Sequence, residues 1–105
     1  MAQTVEALVD TLKLLADQTR LTILALLKEQ DLCVCDIVNV LQTTQPNVSQ
    51  HLRKLKQGGL VVETRKRQWI YYSLNVEDKP YLKGIVDQLP SMKNQLEKLN
   101  PNCCP

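Results

Sequence analysis

Residues 45–74 read QPNVSQHLRKLKQGGLVVETRKRQWIYYSL, a segment that predicts a helix and a hairpin in direct succession. Its first half predicts a helix from Gln45 to about Lys56, because apolar residues recur every three or four positions and two glycines follow. Its second half contains two β-branched and aromatic runs, LVVET and WIYYSL, on either side of RKRQ. These two runs predict a two-stranded β-hairpin.

The polar face of the predicted helix carries side chains that suit a DNA surface. Amides can make paired hydrogen bonds to adenine and arginine to guanine, whereas lysine suits phosphate. Residues 51–67 also hold six lysines and arginines against one glutamate, although the whole chain has a net charge of only +2. An ordinary solvated face is the alternative, but the adjoining basic hairpin favours DNA. The predicted DNA-binding residues are Gln45, Asn47, Ser49, Gln50, Arg53 and Lys54 on the helix, with Arg65, Lys66 and Arg67 on the hairpin.

Three further helices are predicted before this segment. The first covers about Thr4–Leu15, the second follows Asp17 as its N-cap, and the third runs from near Cys35 to Leu41. Thr43 and Thr44 then offer a turn and a cap for the fourth helix. Two helices joined by a tight turn and followed by a hairpin describe a winged helix-turn-helix. We therefore predict a mainly α fold with a two-stranded β-wing.

A long apolar stripe predicts a last helix after Asp78. Pro90 interrupts the stripe and should kink or split that helix. An apolar face of this length on so small a domain also predicts a partner that covers it. The stripe consists of Leu82, Ile85, Val86, Leu89, Met92, Leu96 and Leu99. We assign residues 1–100 to one DNA-binding and dimerisation domain, and residues 101–105 to a mobile tail that contains cysteines.

Composition excludes several classes of protein. A chain of 105 residues predicts one domain, and its apolar runs are too short to cross a membrane. The first ten residues lack the basic cluster of a signal peptide, so a cytoplasmic location is expected. No nucleotide-binding loop, carboxylate pair or histidine beside a nucleophile indicates an enzyme.

His51, which borders the apolar face of the fourth helix, is predicted to join that helix to its neighbours.

Four segments, LADQTRLTILALL, DLCVCDIVNVL, QPNVSQHLRKLKQGGLV and WIYYSL, together resemble the ArsR/SmtB family of metal-responsive repressors. The resemblance extends from about Leu14 to Leu74. It implies a homodimer, formed through the first and last helices, that binds an inverted repeat in DNA and dissociates when an inducer binds. It also implies that residues 45–56 enter the major groove and that the hairpin is the wing. Because relatives often have glycine where Arg67 stands, we expect a different turn at the wing tip.

The motif LCVCD, residues 32–36, suggests what the inducer is. Thiolates are soft ligands and select thiophilic ions. The resemblance implies responders to arsenic and antimony, or to cadmium and lead. In an ideal helix residues two apart point about 200° away from each other. Cys33 and Cys35 can therefore share an ion only if the first turn of the helix is reshaped or is already non-helical. The alternative is that both are small buried apolar residues.

Trivalent arsenic requires a third thiolate in addition to Cys33 and Cys35. Some arsenic-responsive relatives have another cysteine on this helix, but Val38 stands at that position. Cys103 and Cys104 are the candidates, from the same subunit or across the dimer, although tail thiols without a role remain an alternative. Four converging cysteines would favour cadmium or lead. A zinc site is not expected, because no histidine follows Asp87.

We therefore predict a repressor of a metal(loid) resistance operon that leaves double-stranded operator DNA when As(III) or Sb(III) binds. The predicted ligands are Cys33, Cys35, Cys103 and Cys104, and no organic cofactor is expected. A repressor responsive to Cd(II) or Pb(II) and a thiol-redox-responsive repressor of the same fold are the alternatives. A winged helix that binds only proteins should have an apolar fourth helix, and this sequence has a polar one.

Overall fold

The structure, a computed structural model, describes residues 4–98. Within that range the chain forms a mainly α fold. The helices are α1 (Val5–Leu15), α2 (Gln18–Glu29), α3 (Val34–Leu41), α4 (Gln45–Gln57), α5 (Pro80–Asp87) and α6 (Lys93–Glu97), and the strands are β1 (Leu32–Cys33), β2 (Val61–Lys66) and β3 (Trp69–Leu74). Helices α3 and α4, joined by a short turn, are followed by the β2–β3 hairpin, so the predicted winged helix-turn-helix is confirmed.

Side-chain caps begin three of the helices, two of them at predicted positions. Asp17 accepts a hydrogen bond from the backbone N–H of Arg20 at 3.0 Å, and Thr44 accepts one from the backbone N–H of Asn47 at 3.3 Å. Thr4 does the same for α1. Each bond satisfies an N–H that the first turn of a helix leaves without an intrahelical partner.

Helix α2 forms the centre of the core, because its LTILALL sequence is apolar nearly all round. Its residues from Ile23 to Leu27 are all buried. Gly58 follows α4 and lies so close to α1 that a Cβ at this position would collide with the side chain of Leu14. Gly59 follows with a φ of +77°, which favours glycine. The two glycines therefore turn the chain from α4 into β2 beside α1.

The sheet has a third strand that sequence reasoning missed. All pairs are antiparallel in the order β1-β3-β2, and β1 places Leu32 opposite Tyr72 and Cys33 opposite Tyr71. A strand of two residues between helices has no alternation of apolar and polar positions to reveal it. The first cysteine of the LCVCD motif thus belongs to a strand rather than to a loop.

The turn at the wing tip keeps a glycine-like backbone. Lys66 pairs with Trp69, so only Arg67 and Gln68 lie in the loop. Arg67 has a φ of 60°, in the left-handed region that glycine adopts most easily. The different turn that we expected from this arginine is therefore not required, because Arg67 itself takes the conformation that glycine favours.

The predicted split of the last helix at Pro90 is confirmed by the separate helices α5 and α6. Lys28 Nζ donates a hydrogen bond to the carbonyl of Leu89 at 3.1 Å, just before the break. Leu82 and Val86 are buried, and four further residues of the stripe pack against the same core: Ile85, Leu89, Met92 and Leu96. The protomer itself therefore covers most of the stripe that we expected a partner to cover. Leu99 and residues 101–105 lie outside the described residues.

Exposed apolar side chains instead concentrate on α1. Val5 is 79% exposed, Val9 41% and Leu12 45%. Their spacing of three and four residues places them on one face of the helix. None of the helices in residues 4–98 is both long enough and apolar enough to cross a bilayer.

Candidate functional site

Helix α4 has the two faces that its sequence predicts. Val48, Leu52 and Leu55 are fully buried against the core. On the opposite side Gln50 and Arg53 are exposed, as are Gln45 and Lys54, and Ser49 is half-buried. Because the core fixes one face, the other presents its amide, hydroxyl and cationic groups outward in a set register.

Asn47 differs from the other predicted DNA-binding residues because its side chain already has a structural partner. Its amide donates to Thr43 Oγ1 at 3.1 Å, across the turn between α3 and α4. Its backbone N–H also donates to the capping hydroxyl of Thr44. Asn47 thus braces the turn of the helix-turn-helix.

The wing carries the predicted cations at its tip. Arg65, Lys66 and Arg67 are all exposed, and Lys66 Nζ lies 5.2 Å from the centre of the Tyr71 ring. Among residues 4–98 no ion pair involves these three residues, nor Arg53 or Lys54. No carboxylate of the described residues therefore lies within ion-pair distance of these five cations.

A glutamate on the wing links it to α4. Glu63 Oε1 lies 3.1 Å from Lys56 Nζ and accepts a hydrogen bond from the hydroxyl of Tyr72 at 3.2 Å. The hydrogen bond from Lys56 holds the pKa of the Glu63 carboxyl below its usual value. Among the six lysines and arginines of residues 51–67, Lys56 is thus the one that forms an ion pair with another described residue, and this pair connects α4 to the wing.

The predicted bridging role of His51 is supported by its contact with α2. Arg20 Nη1 donates to His51 Nδ1 at 3.2 Å, since a guanidinium can only donate. Arg20 Nε also donates to the carbonyl of Leu14 at 2.6 Å. One arginine therefore joins the end of α1, the start of α2 and the middle of α4.

The two cysteines of LCVCD come together at the junction of β1 and α3. Cys33 ends β1 and is the N-cap of α3, with an extended backbone (φ −88°, ψ 169°). Cys35 is the second residue of α3, and its sulfur atom lies 3.0 Å from that of Cys33. Metal–thiolate bonds of about 2.3 Å allow two sulfurs at such a spacing to reach one ion. The pair therefore uses a turn that is already non-helical, which is one of the two arrangements we anticipated.

Asp36 joins this cluster, and sequence reasoning did not name it. Cys33 Sγ donates to Asp36 Oδ2 at 3.2 Å, and the donor atoms of Cys33, Cys35 and Asp36 all lie within 4.8 Å of one another. Burial raises the pKa of the Asp36 carboxyl, although a hydrogen bond from the backbone of Cys33 opposes the effect. The signal in the sequence is that Asp36 follows the N-cap by three residues, the spacing of a capping box.

The cluster lies on β1 and α3, which adjoin the two elements of the predicted DNA-binding surface. Cys33 pairs with Tyr71 on β3, the strand that ends the wing, and α3 packs directly against α4. A change in the backbone at Cys33 can therefore reach the wing through the sheet and the fourth helix through α3. Cys103 and Cys104, the other predicted ligands, lie outside the described residues.

A family model described as bacterial regulatory protein, arsR family, matches residues 17–62. The solved structure of a homodimeric winged helix-turn-helix DNA-binding domain from Mycobacterium bovis superposes with a TM-score of 0.70 at 30% identity, covering 83% of this chain and 87% of that one. The chain belongs to the arsR family.

Two relatives in sequence are named for resistance to different elements. An arsenic resistance transcriptional regulator of Pseudomonas putida is 41% identical over 80 residues, which are 71% of this chain and 62% of the relative. A cadmium resistance regulatory protein homologue of Staphylococcus aureus is 36% identical over 77 residues, 72% of this chain and 61% of the relative. The chain thus spans less than two thirds of each of these relatives.

Proposed function

We propose that this arsR-family protein is a cytoplasmic transcriptional repressor that binds an inverted repeat in operator DNA as a homodimer. It leaves the DNA when a thiophilic ion, As(III) or Sb(III), binds at Cys33 and Cys35. The observation that carries this proposal is the 3.0 Å separation of the two sulfur atoms beside the helix-turn-helix. Residues 1–100 then serve both DNA binding and dimerisation.

The DNA-binding part of the proposal rests on the charge and exposure of two neighbouring elements. Helix α4 offers Gln50 and Arg53 to a base edge, and Lys54 to phosphate. The cations of the wing tip, not paired within the described chain, add contacts to the backbone of a flanking groove. A solvent-exposed ion pair between Lys56 and Glu63 also connects the two elements, and a pair of this kind contributes little to stability.

The release mechanism follows from the position of the cluster. An ion bound by both sulfurs must fix the backbone between Cys33 and Cys35, which is the point where β1 turns into α3. Helix α3 packs against α4, and β1 is hydrogen-bonded to β3 of the wing. A change in the backbone between Cys33 and Cys35 therefore alters the distance between α4 and the wing. The ion shifts the protein towards release only by its preference for the shape that does not fit DNA.

The choice of ion follows from ligand chemistry. Sulfur donors favour soft ions, and arsenic and antimony in the trivalent state suit a set of thiolates. Cd(II) and Pb(II) are the competing inducers, and the carboxylate of Asp36 within the cluster would suit these ions better than it suits arsenic. Titration with each ion distinguishes them.

The experiment that tests the proposal is fluorescence anisotropy on a labelled duplex from the region upstream of the gene. We expect the reduced protein to bind, and arsenite and antimonite to release it. Cys35→Ser should keep DNA binding within about 2-fold and lose release, because one ligand is gone while the fold remains. Cys35 is the better target than Cys33, since Cys33 is buried in the sheet.

Val34→Ser is the matched control, because it puts a hydroxyl into the same turn without removing a sulfur. It should bind DNA and respond to arsenite. Normal release of the Cys35→Ser protein by arsenite would contradict the assignment of the cysteines as ion ligands. Failure of the wild type to bind any duplex would contradict the proposed repressor function.

A thiol-redox repressor is the second candidate, and the contact between the two sulfurs favours it. A peroxide could oxidise the pair to a disulfide, with two thiol protons and two electrons passing to the peroxide to form two waters. If peroxide releases the protein from DNA and As(III), Sb(III), Cd(II) and Pb(II) do not, the cysteine pair has this redox function.

A further inference from the structure

The carboxylate of Asp36 lies against the two sulfur atoms of the LCVCD motif. Asp36 is the third residue of α3, and side chains of a helix point back towards its N-terminus. Its Oδ2 accepts a hydrogen bond from Cys33 Sγ at 3.2 Å, and the sulfur atoms of Cys33 and Cys35 lie 3.0 Å apart. Because all three donor atoms lie within 4.8 Å of one another, one ion can reach an oxygen and both sulfurs.

The backbone holds this carboxylate in place without help from an ion. The backbone N–H of Cys33 donates a hydrogen bond to the Asp36 carboxylate, with the spacing of a capping box. Cys33 is itself buried and is paired with Tyr71 in the sheet. The oxygen is therefore oriented towards the sulfur pair by the fold, and a ligand that is already oriented loses little freedom when an ion binds.

Asp36 has no basic partner among residues 4–98. The four ion pairs of this range use the carboxylates of other residues: Asp17, Glu63, Asp78 and Glu77. Asp36 is also half-buried, so its attraction for a cation is screened less than that of a fully exposed carboxylate. A cation bound between the sulfurs would thus be the charge partner of this side chain.

An oxygen ligand at this position separates two classes of thiophilic ion. A carboxylate and thiolates together are common ligands of divalent ions, with bonds of about 2.0–2.3 Å for zinc. An ionised carboxylate and two thiolates carry three negative charges, which attract a doubly charged cation. Arsenite already carries oxygen on arsenic, so the exchange of one oxygen donor for another gains little. Asp36 therefore favours a divalent ion and leaves the affinity for arsenite almost unchanged.

We propose that Asp36 is an ion ligand, and that Cys33, Cys35 and Asp36 of one subunit form a site for a divalent thiophilic ion. This inference rests on the proposed function, since it concerns the same site, and it makes Asp36 the residue that determines which class of ion the site accepts. With Cd(II) as the probe, two thiols each lose a proton to solvent. Two Cd–S bonds and one Cd–O bond form, waters leave the aqueous ion, and no electron is transferred.

Asp36→Asn tests the inference, because asparagine keeps an oxygen that can accept the hydrogen bond from Cys33 but removes the charge. The affinity of the reduced protein for Cd(II) is measured by competition with a chelator, followed through the ultraviolet absorption of the cadmium–thiolate bonds. We expect a loss of at least about 10-fold, since even a group that only supports a metal ligand is worth about 10–100-fold. Arsenite affinity, measured by calorimetry, should stay within about 2-fold.

Asp31→Asn is the matched control, because Asp31 is an exposed aspartate one residue before β1. It should leave both affinities within about 2-fold. An equal loss of Cd(II) affinity in the two variants would overturn the inference in favour of a general effect of negative charge. An equal loss of Cd(II) and arsenite affinity in Asp36→Asn would overturn it in favour of a role in holding the turn.

X-ray absorption of the Cd(II)-loaded wild type gives a readout that does not depend on any variant. We expect sulfur and oxygen together around the ion, and a shell of sulfur alone would overturn the role of Asp36. The proposed function fails in a different way, namely when arsenite does not release the wild type from DNA. An unchanged ratio of Cd(II) to arsenite affinity in Asp36→Asn counts against this inference alone.

Discussion

Cys33 combines three roles in one residue. It ends β1, caps α3 without a hydroxyl, and places its sulfur against that of Cys35. A Ser or Asp at this position would satisfy the helix N-terminus better, since oxygen is the usual capping acceptor. Asp36 compensates in part, because its carboxylate accepts a hydrogen bond from the backbone of Cys33. Position 33 thus brings two sulfur atoms together and leaves the N-terminus of α3 without a side-chain cap from this residue.

Arg53 is the residue whose removal should weaken DNA binding most clearly. Arg53→Ala should lose about 1–3 kcal/mol of DNA binding free energy, since the side chain is exposed on the outer face of α4 and unpaired within the described chain. If the contact is to phosphate, the dependence of affinity on salt should also fall. Anisotropy titrations at two salt concentrations measure both quantities.

Lys56→Ala is the matched control for Arg53→Ala on the same helix. Lys56 is already paired with Glu63, so its removal should change DNA affinity less. Arsenite binding should be unaffected in both variants. A larger loss for Lys56→Ala than for Arg53→Ala would contradict the orientation of α4 towards DNA.

Among the elements, the wing has an arginine in a conformation that is unfavourable for any residue with a Cβ. The left-handed region costs such a residue about 1–2 kcal/mol. Arg67→Gly should therefore stabilise the fold by up to about 1 kcal/mol, seen as a higher Tm, and should weaken DNA binding because a cation is lost. Arg67→Ala, which loses the cation but keeps the Cβ, should weaken DNA binding equally without the gain in Tm.

The hydrogen bonds that Glu29 of α2 accepts from Ser91 and Met92, just before α6, should make stability depend on pH. The hydrogen bond from the backbone of Met92, followed by that from Ser91, lowers the pKa of the Glu29 carboxyl below 4.5. A lowered pKa means that the stabilisation is present above about pH 4.5 and is lost as the pH falls through the value in the folded state.

Thermal unfolding of the wild type and of Glu29→Gln measures this contribution. The glutamine keeps an acceptor oxygen but cannot titrate. We expect the wild type to be the more stable at pH 7 and the difference to shrink in acid below pH 4.5. A difference that stays constant over this range would contradict the role of the charged carboxylate.

For the whole molecule, the exposed apolar face of α1 bears on assembly. Leu12→Asp should convert the proposed dimer into monomers, because it places a charge within that face. The affinity for operator DNA should fall as the dimer is lost, since an inverted repeat needs two linked subunits. Light scattering coupled to size-exclusion chromatography measures the mass.

Val62→Asp provides the control, because Val62 is a comparably exposed apolar residue on β2 of the wing. It should leave the molecular mass unchanged. Dissociation by Val62→Asp, or a dimer that survives Leu12→Asp, would contradict assembly through α1.

Local sequence signals were sufficient for the helices, the wing and the outward face of α4. Each depends on periodicity, capping or turn chemistry within a few residues, so it can be predicted without knowing which distant parts of the chain meet. The buried Val48, Leu52 and Leu55 could be named from their spacing alone, and so could the caps at Asp17 and Thr44.

Contacts between distant residues had to be seen in the folded molecule. The pairing of Cys33 with Tyr71, the salt bridge between Lys56 and Glu63, and the hydrogen bonds from Ser91 to Glu29 each join residues on different elements. The apolar stripe after Asp78 also required the folded structure. The sequence predicts a partner for it, but α5 and α6 pack against α2 of the same subunit. Periodicity states which face of a helix is apolar, but only the packing of the whole chain determines what that face meets.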